Sequence, residues 1–236
     1  MLAAPDVWGQ TTPGPAYTVR TVAGSYAVGD GGPAAAALLI SPRRVITDSA
    51  GNTYVSSEEG TVRRISATGI ISAIAGASGF DSYGDGGAAT QAGMSYPTGL
   101  ALDGSNHLYL AEYFGCRIRR INLSTGIIEA FAGDGDCRTG ADGPISKTSF
   151  NYPTALLVDR NGGIIVSEQL GNRIRRIDPV TSTISTIAGS AIGLGGLTGE
   201  GGPATQALIT SPSDLTQDSL GNVYFTDSLN CFVRKI

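Results

Sequence analysis

His107 is the only histidine among 236 residues, so a three-histidine zinc site cannot be assembled from this chain. A Ser-His-Asp triad would have to recruit that same residue, which sits in a turn at the start of an apolar run. No G-x-S-x-G, H-E-x-x-H or phosphate-loop pattern occurs. The remaining candidates are carboxylates, arginines and cysteines. Asp30, Asp85 and Glu200 each sit in a Gly-rich run, G-D-G-G or G-E-G-G. One carboxylate per loop is few for calcium, which takes about six to eight oxygens, so the expectation is no resident cofactor, with calcium at these loops as the alternative. Arg119, Arg175 and Arg234 each follow an acid by seven residues (Glu112, Glu168, Asp227). That spacing predicts cross-strand ion pairs, expected on an exposed outer sheet face. A net charge of −4 and only two lysines, Lys147 and Lys235, count against a nucleic-acid surface.

The elements that hold these residues recur four times. A proline is followed six residues later by an aspartate: Pro42 to Asp48, Pro97 to Asp103, Pro153 to Asp159 and Pro212 to Asp218. Each aspartate opens a turn ending in Gly51, Asn106, Gly162 or Gly221, and is read as structural, accepting bonds from nearby backbone amides. Strands T-Y-V-S, L-Y-L-A, I-I-V-S and V-Y-F-T follow, then V-R-R-I, I-R-R-I, I-R-R-I and V-R-K-I. A further strand ends in A-G at 70–76, 127–133 and 183–189. Between units, a connector places a small residue (Ala37, Ala92, Thr148, Ala207) two positions before a larger plug (Leu39, Met94, Phe150, Ile209). Four short antiparallel strands repeated at this period make propeller blades, each burying its apolar faces against its neighbours.

The linked motifs G-D-G-G-P-A, P-x-G-L-A-L-D, L-Y-L-A-E, R-I-R-R-I and closing I-A-G resemble the NHL repeat across residues 18–236. The resemblance implies a β-propeller of the extracellular and bacterial type, a family that usually has six blades. This chain holds four.

The expected fold is therefore all-β, a propeller of four four-stranded blades near 42–76, 97–133, 153–189 and 212–236. The missing last strand is supplied from the front, with Tyr17–Gly24 pairing with Phe232–Ile236 to close the ring. Residues 1–16 are expected to be a flexible tether. Alternating strand direction puts Cys116 and Cys137 on one face at one blade edge, which predicts a disulfide, leaving Cys231 unpaired or bridged to another chain. Asn122-Leu123-Ser124 is an N-glycosylation acceptor in a turn. No apolar run approaches the roughly 18 residues needed to span a bilayer. With no catalytic constellation, the chain is expected to be a non-enzymatic extracellular or surface scaffold that binds a protein or carbohydrate partner or packs in an assembly. A propeller lyase or lactonase, a filament joined by strand donation and an RNA-binding module are the alternatives. The binding residues themselves are not legible at this level.

Overall fold

The computed structural model describes residues 19–24, 29–77 and 80–236. Blade 1 is formed by β1 (Pro42–Thr47), β2 (Thr53–Ser57), β3 (Thr61–Ile65) and β4 (Ile71–Ala75). Blade 2 comprises β5 (Pro97–Leu102), β6 (His107–Glu112), β7 (Arg117–Asn122) and β8 (Ile127–Ala132). The two-residue β9 (Gly143–Pro144) precedes blade 3, which comprises β10 (Pro153–Val158), β11 (Ile164–Glu168), β12 (Arg173–Asp178) and β13 (Thr183–Gly189). Blade 4 has β14 (Pro212–Gln217), β15 (Val223–Asp227) and β16 (Phe232–Lys235). Each blade is an antiparallel meander in chain order, and β9 adds to the outer edge of β13. Among the inner strands, β1 packs beside β5, β5 beside β10 and β10 beside β14. The four sheets therefore stand around a common axis as a four-bladed propeller.

The repeated aspartates shape the turns between the first two strands. In blade 2, Asp103 Oδ1 accepts the backbone N–H groups of Ser105 (2.8 Å) and His107 (2.9 Å), while Oδ2 meets His107 Nδ1 at 3.0 Å and accepts the Tyr109 hydroxyl at 3.2 Å. Asp48 and Asp218 bind their loops the same way, with Asn52 and Asn222 in place of the histidine. Asp159 turns its second oxygen to Arg176 Nε at 2.5 Å. Asn222 is the main reason Asp218 is held down to about 2, with backbone N–H groups adding to it against some desolvation. His107 is thus a half-buried partner of Asp103, not a free turn residue.

The connectors form single 3-10 turns at Ala34–Ala36, Ala89–Gln91 and Ala204–Gln206. Their small residues are buried, and so are Met94, Phe150 and Ile209, which fill the seams between blades.

Two expectations need correction. The predicted acid–base pairs form, but inside the blades and not on an outer face: Arg119, Arg175, Glu112, Glu168 and Asp227 are all fully buried. The connector carboxylate supplies the reason. Each guanidinium leaves its strand to meet that carboxylate and the connector's carbonyls, so the connector covers it. The expected pairing of Tyr17–Gly24 with Phe232–Ile236 is also absent among the described residues. β16 is bonded only to β15, so blade 4 has three strands, and residues 19–24 join no ladder. Residues 19–22 are exposed, while the Gly24 N–H donates to the Ala34 carbonyl at 3.1 Å and Ala23 packs beside the Ile65–Ile71 cluster. Tyr17, Thr18 and the tether at 1–16 lie outside the described residues.

Candidate functional site

All four inner strands begin at a proline, and each shows a register shift just after it. These bulges turn the next residues toward the axis. Hydroxyls tie the strands together there. Ser56 donates to the Thr98 carbonyl (3.2 Å), Thr98 to that of Pro153 (3.2 Å) and Thr154 to that of Pro212 (3.4 Å). Across the axis, Arg44 Nη1 reaches Asp214 Oδ1 at 2.6 Å, linking blade 1 to blade 4. The cleft above these rungs has a volume of about 430 Å³, within the range of small-ligand sites.

One wall of this cleft is aromatic. Tyr96, before the proline of blade 2, lines it with Tyr113 and Phe114 from the turn between β6 and β7, and Tyr152, before the proline of blade 3, packs against Tyr113 and Phe114. Phe114 meets the edges of Tyr96 and Tyr113 at 5.0 Å each, and Tyr113 lies 4.8 Å from Tyr152. Arg43 stacks 5.5 Å from the Tyr96 ring and donates from Nη2 to its hydroxyl at 3.0 Å. The Tyr113 hydroxyl donates to Gln169 Oε1 at 2.8 Å. Burial, with Tyr152 and Tyr96 close by, raises Tyr113 above the ordinary phenol value. Tyr96 and Tyr152 hold φ values of 60° and 56°. Ser41 and Ser211, at the same place in blades 1 and 4, hold φ values of 43° and 56°, so this left-handed backbone belongs to the turn of the repeat. Blades 1 and 4 have Ser41 and Ser211 at these positions, so the aromatic wall belongs to blades 2 and 3 alone.

The sequence-derived candidates lie elsewhere. Cys116 and Cys137 are joined by a disulfide with Cα atoms 5.1 Å apart, at the edge of the same face. Cys231 is an exposed free thiol. Asn122 ends β7, and its side-chain carbonyl accepts the N–H groups of Ser124 (2.9 Å) and Thr125 (3.1 Å). Asp48 and Asp103 are on the opposite end of the blades from the aromatic wall, as is His107. Sequence reasoning missed Arg43, Tyr96, Tyr113, Phe114, Tyr152 and Gln169. The signal available was the repeated Tyr-Pro dipeptide at 96–97 and 152–153.

Three of the four connector carboxylates are bound to arginine. Asp30 meets Arg63 at 2.7 Å, Asp85 meets Arg119 at 2.8 Å and Asp142 meets Arg175 at 3.0 Å, with Glu200 3.9 Å from Arg234. On the strand side, Glu112 and Glu168 each approach the same guanidiniums at 3.2 Å. Among the described residues no three His, Cys, Asp or Glu side chains are grouped as a metal site.

Antiparallel blades of three or four strands around an axial cleft define a β-propeller. Teneurin-4 of Homo sapiens is 29% identical over 244 residues, covering 88% of this chain and 8% of its own length. An auxiliary nutrient binding protein from Bacteroides thetaiotaomicron superposes with a TM-score of 0.59 at 16% identity, covering 79% of this chain and 45% of its own. A streptogramin B lyase gives 0.51 at 13% identity, covering 83% and 54%. No family model matches the chain. The repeats and the likeness to Teneurin-4 mark a β-propeller similar to NHL-repeat proteins, and the chain spans under a tenth of Teneurin-4.

Proposed function

We propose that this propeller is a non-enzymatic interaction module of an extracellular or cell-surface protein, and that its axial cleft binds a polar partner, an oligosaccharide or a protein loop. The observation that carries this reading is the aromatic wall. Phe114 stands exposed against Tyr96 and Tyr113, with Arg43, Gln169 and the axial hydroxyls beside them. Aromatic faces next to fixed hydrogen-bonding groups suit ligands that are apolar on one side and polar on the other. The Cys116–Cys137 bridge supports an oxidising compartment. Asp30, Asp85 and Asp142 are bound to guanidiniums and Glu200 stands alone in its loop, so the reading includes no calcium or other cofactor.

A lyase or lactonase is the competing reading, favoured by the fold likeness to streptogramin B lyase. It would need an acid–base pair in the axial cleft, where Asp214 is bound by Arg44 and where no histidine points. The net charge works against RNA as a partner.

The test is binding of the chain and of the Phe114→Ala/Tyr152→Ala variant to glycan and protein-ectodomain arrays. The expected result is a set of ligands retained by the parent and lost by the variant, with thermal stability changed little. Ligands that bind both equally, or turnover of a lactone, would overturn the proposal.

A further inference from the structure

Phe114 lines two clefts at once. On its inner side is the axial cleft described above. On its outer side is a second cleft of about 310 Å³, bounded by Phe80, Asp81 and Ser82 from the loop entering blade 2 and by Arg117 and Gly135. Both volumes fall in the range of small-ligand sites. The Phe114 ring is fixed from one side by the edge contacts of Tyr96 and Tyr113, 5.0 Å away. The Cys116–Cys137 bridge ties the turn that carries it to the loop that carries Gly135. It remains 55% exposed, and Phe80, in the outer cleft, is 67% exposed.

The linings of the two clefts share a chemistry. Neither contains Leu, Ile, Val or Met. The apolar surface is aromatic, and around it stand hydroxyls (Thr98, Thr154, Ser213), the Gln169 amide and charged groups. The cations are already paired: Arg43 with Glu58, Arg44 with Asp214 and Arg117 with Glu112. Asp81 has no ion pair among the described residues, so the one free charge on the linings is negative.

We propose that the two clefts form one groove for a linear, neutral oligosaccharide, with one pyranose ring on Phe114 and another reaching Phe80. This rests on the interaction reading above and names the ligand class of its site. A sugar ring has an apolar C–H face for the aromatic platform and hydroxyls that both donate and accept around its rim. A peptide docks by adding to a strand edge, by filling an apolar groove or, when proline-rich, along aromatic rings. The inner strands are already tied by the Ser56, Thr98 and Thr154 hydroxyls, and aliphatic lining is missing. Proline residues lack the N–H donors that the Asp81 carboxylate and the amide oxygen of a cleft like this one call for. The unpaired Asp81 also repels an acidic chain, so uronate polymers are disfavoured.

Isothermal titration calorimetry tests it with gluco-, manno-, xylo- and N-acetylglucosamine oligomers from monomer to hexamer, an oligogalacturonate and a proline-rich peptide. Phe80→Ala and Phe114→Ala are measured alongside; both rings are exposed, so both variants should keep the parent's thermal transition. One neutral series is expected to bind, gaining more than about tenfold from disaccharide to tetrasaccharide as the second cleft is engaged, with little dependence on salt. Phe80→Ala should abolish that gain and leave the disaccharide as it was, while Phe114→Ala weakens both. Equal affinity for the two lengths, a silent Phe80→Ala, preference for the uronate or the peptide, or no bound sugar would each overturn the proposal. A protein ligand that depends on Phe114 would refute the saccharide while upholding the interaction reading; ligands indifferent to Phe114 would refute both.

Discussion

Glu168 and Arg175 face each other at 3.2 Å with neither side chain open to solvent, and Glu168 also holds Arg173, itself buried, at 3.1 Å. One carboxylate thus serves two guanidiniums inside blade 3, which also donate to the carbonyls of Ala191, Ser149 and Ala141 and, from Arg175, to the Asp142 carboxylate, while Arg175 Nε is buried without a partner. Burial pulls Arg175 below the ordinary guanidinium value and Glu168 opposes this. Blade 1 differs, with Ser57 in the position of Glu168 and its hydroxyl buried without a partner.

Glu168→Ala leaves two buried guanidiniums without their shared carboxylate. The expected loss is about 3–5 kcal/mol, as for breaking a buried pair by removing one partner. Asp30→Ala, at the half-exposed end of the blade 1 pair, is expected to cost under about 1 kcal/mol. Denaturant unfolding of the two variants measures the contrast, and equal losses would show that burial of the network is not what gives it weight.

Removing the Asp103 side chain frees two backbone N–H groups and the His107 ring. By analogy with loss of a capping side chain, Asp103→Ala should lower stability by about 0.5–2 kcal/mol while leaving axial-cleft ligands bound. Loss of binding at unchanged stability would make the aspartate functional instead.

The turn aspartates also set an acid limit. Asp48, Asp103, Asp159 and Asp218 are all lowered in the folded chain, Asp218 to about 2. For Asp103 and Asp159 desolvation pushes upward and the accepted hydrogen bonds outweigh it. A carboxylate depressed on folding contributes stability above its unfolded value, about 3.9, and loses it as pH falls through the folded value. These groups should therefore leave stability flat above about pH 5 and erode it from about pH 4 to pH 2. Asp218→Asn should blunt the acid loss, as seen in thermal scans across that range.

Reduction should cleave one bridge. Opening Cys116–Cys137, which spans 21 residues, is expected to cost about 3 kcal/mol on the chain-entropy account. Non-reducing peptide mapping should recover those two linked and only Cys231 alkylated. A free Cys116 or Cys137 in natively produced protein would refute the bridge.

The sequence by itself determined the blades. Strand order, the Pro-to-Asp turns, the plugs Met94, Phe150 and Ile209, and the Cys116–Cys137 proximity all follow from local periodicity and strand direction, which are properties of short segments. Tertiary structure alone decided three things. It buried Arg119 and Arg175, because the connector folds over the sheet face and carries Asp85 and Asp142 to them. It gathered Tyr96, Tyr113, Phe114 and Tyr152 into one wall, since those residues approach only when blades 2 and 3 stand side by side at the axis. And it left residues 19–24 outside blade 4. A strand's alternation specifies what it buries, but its partner is set by which sheet edge lies within reach, and here Ala23 and Gly24 meet blade 1 and its connector while residues 19–22 are exposed.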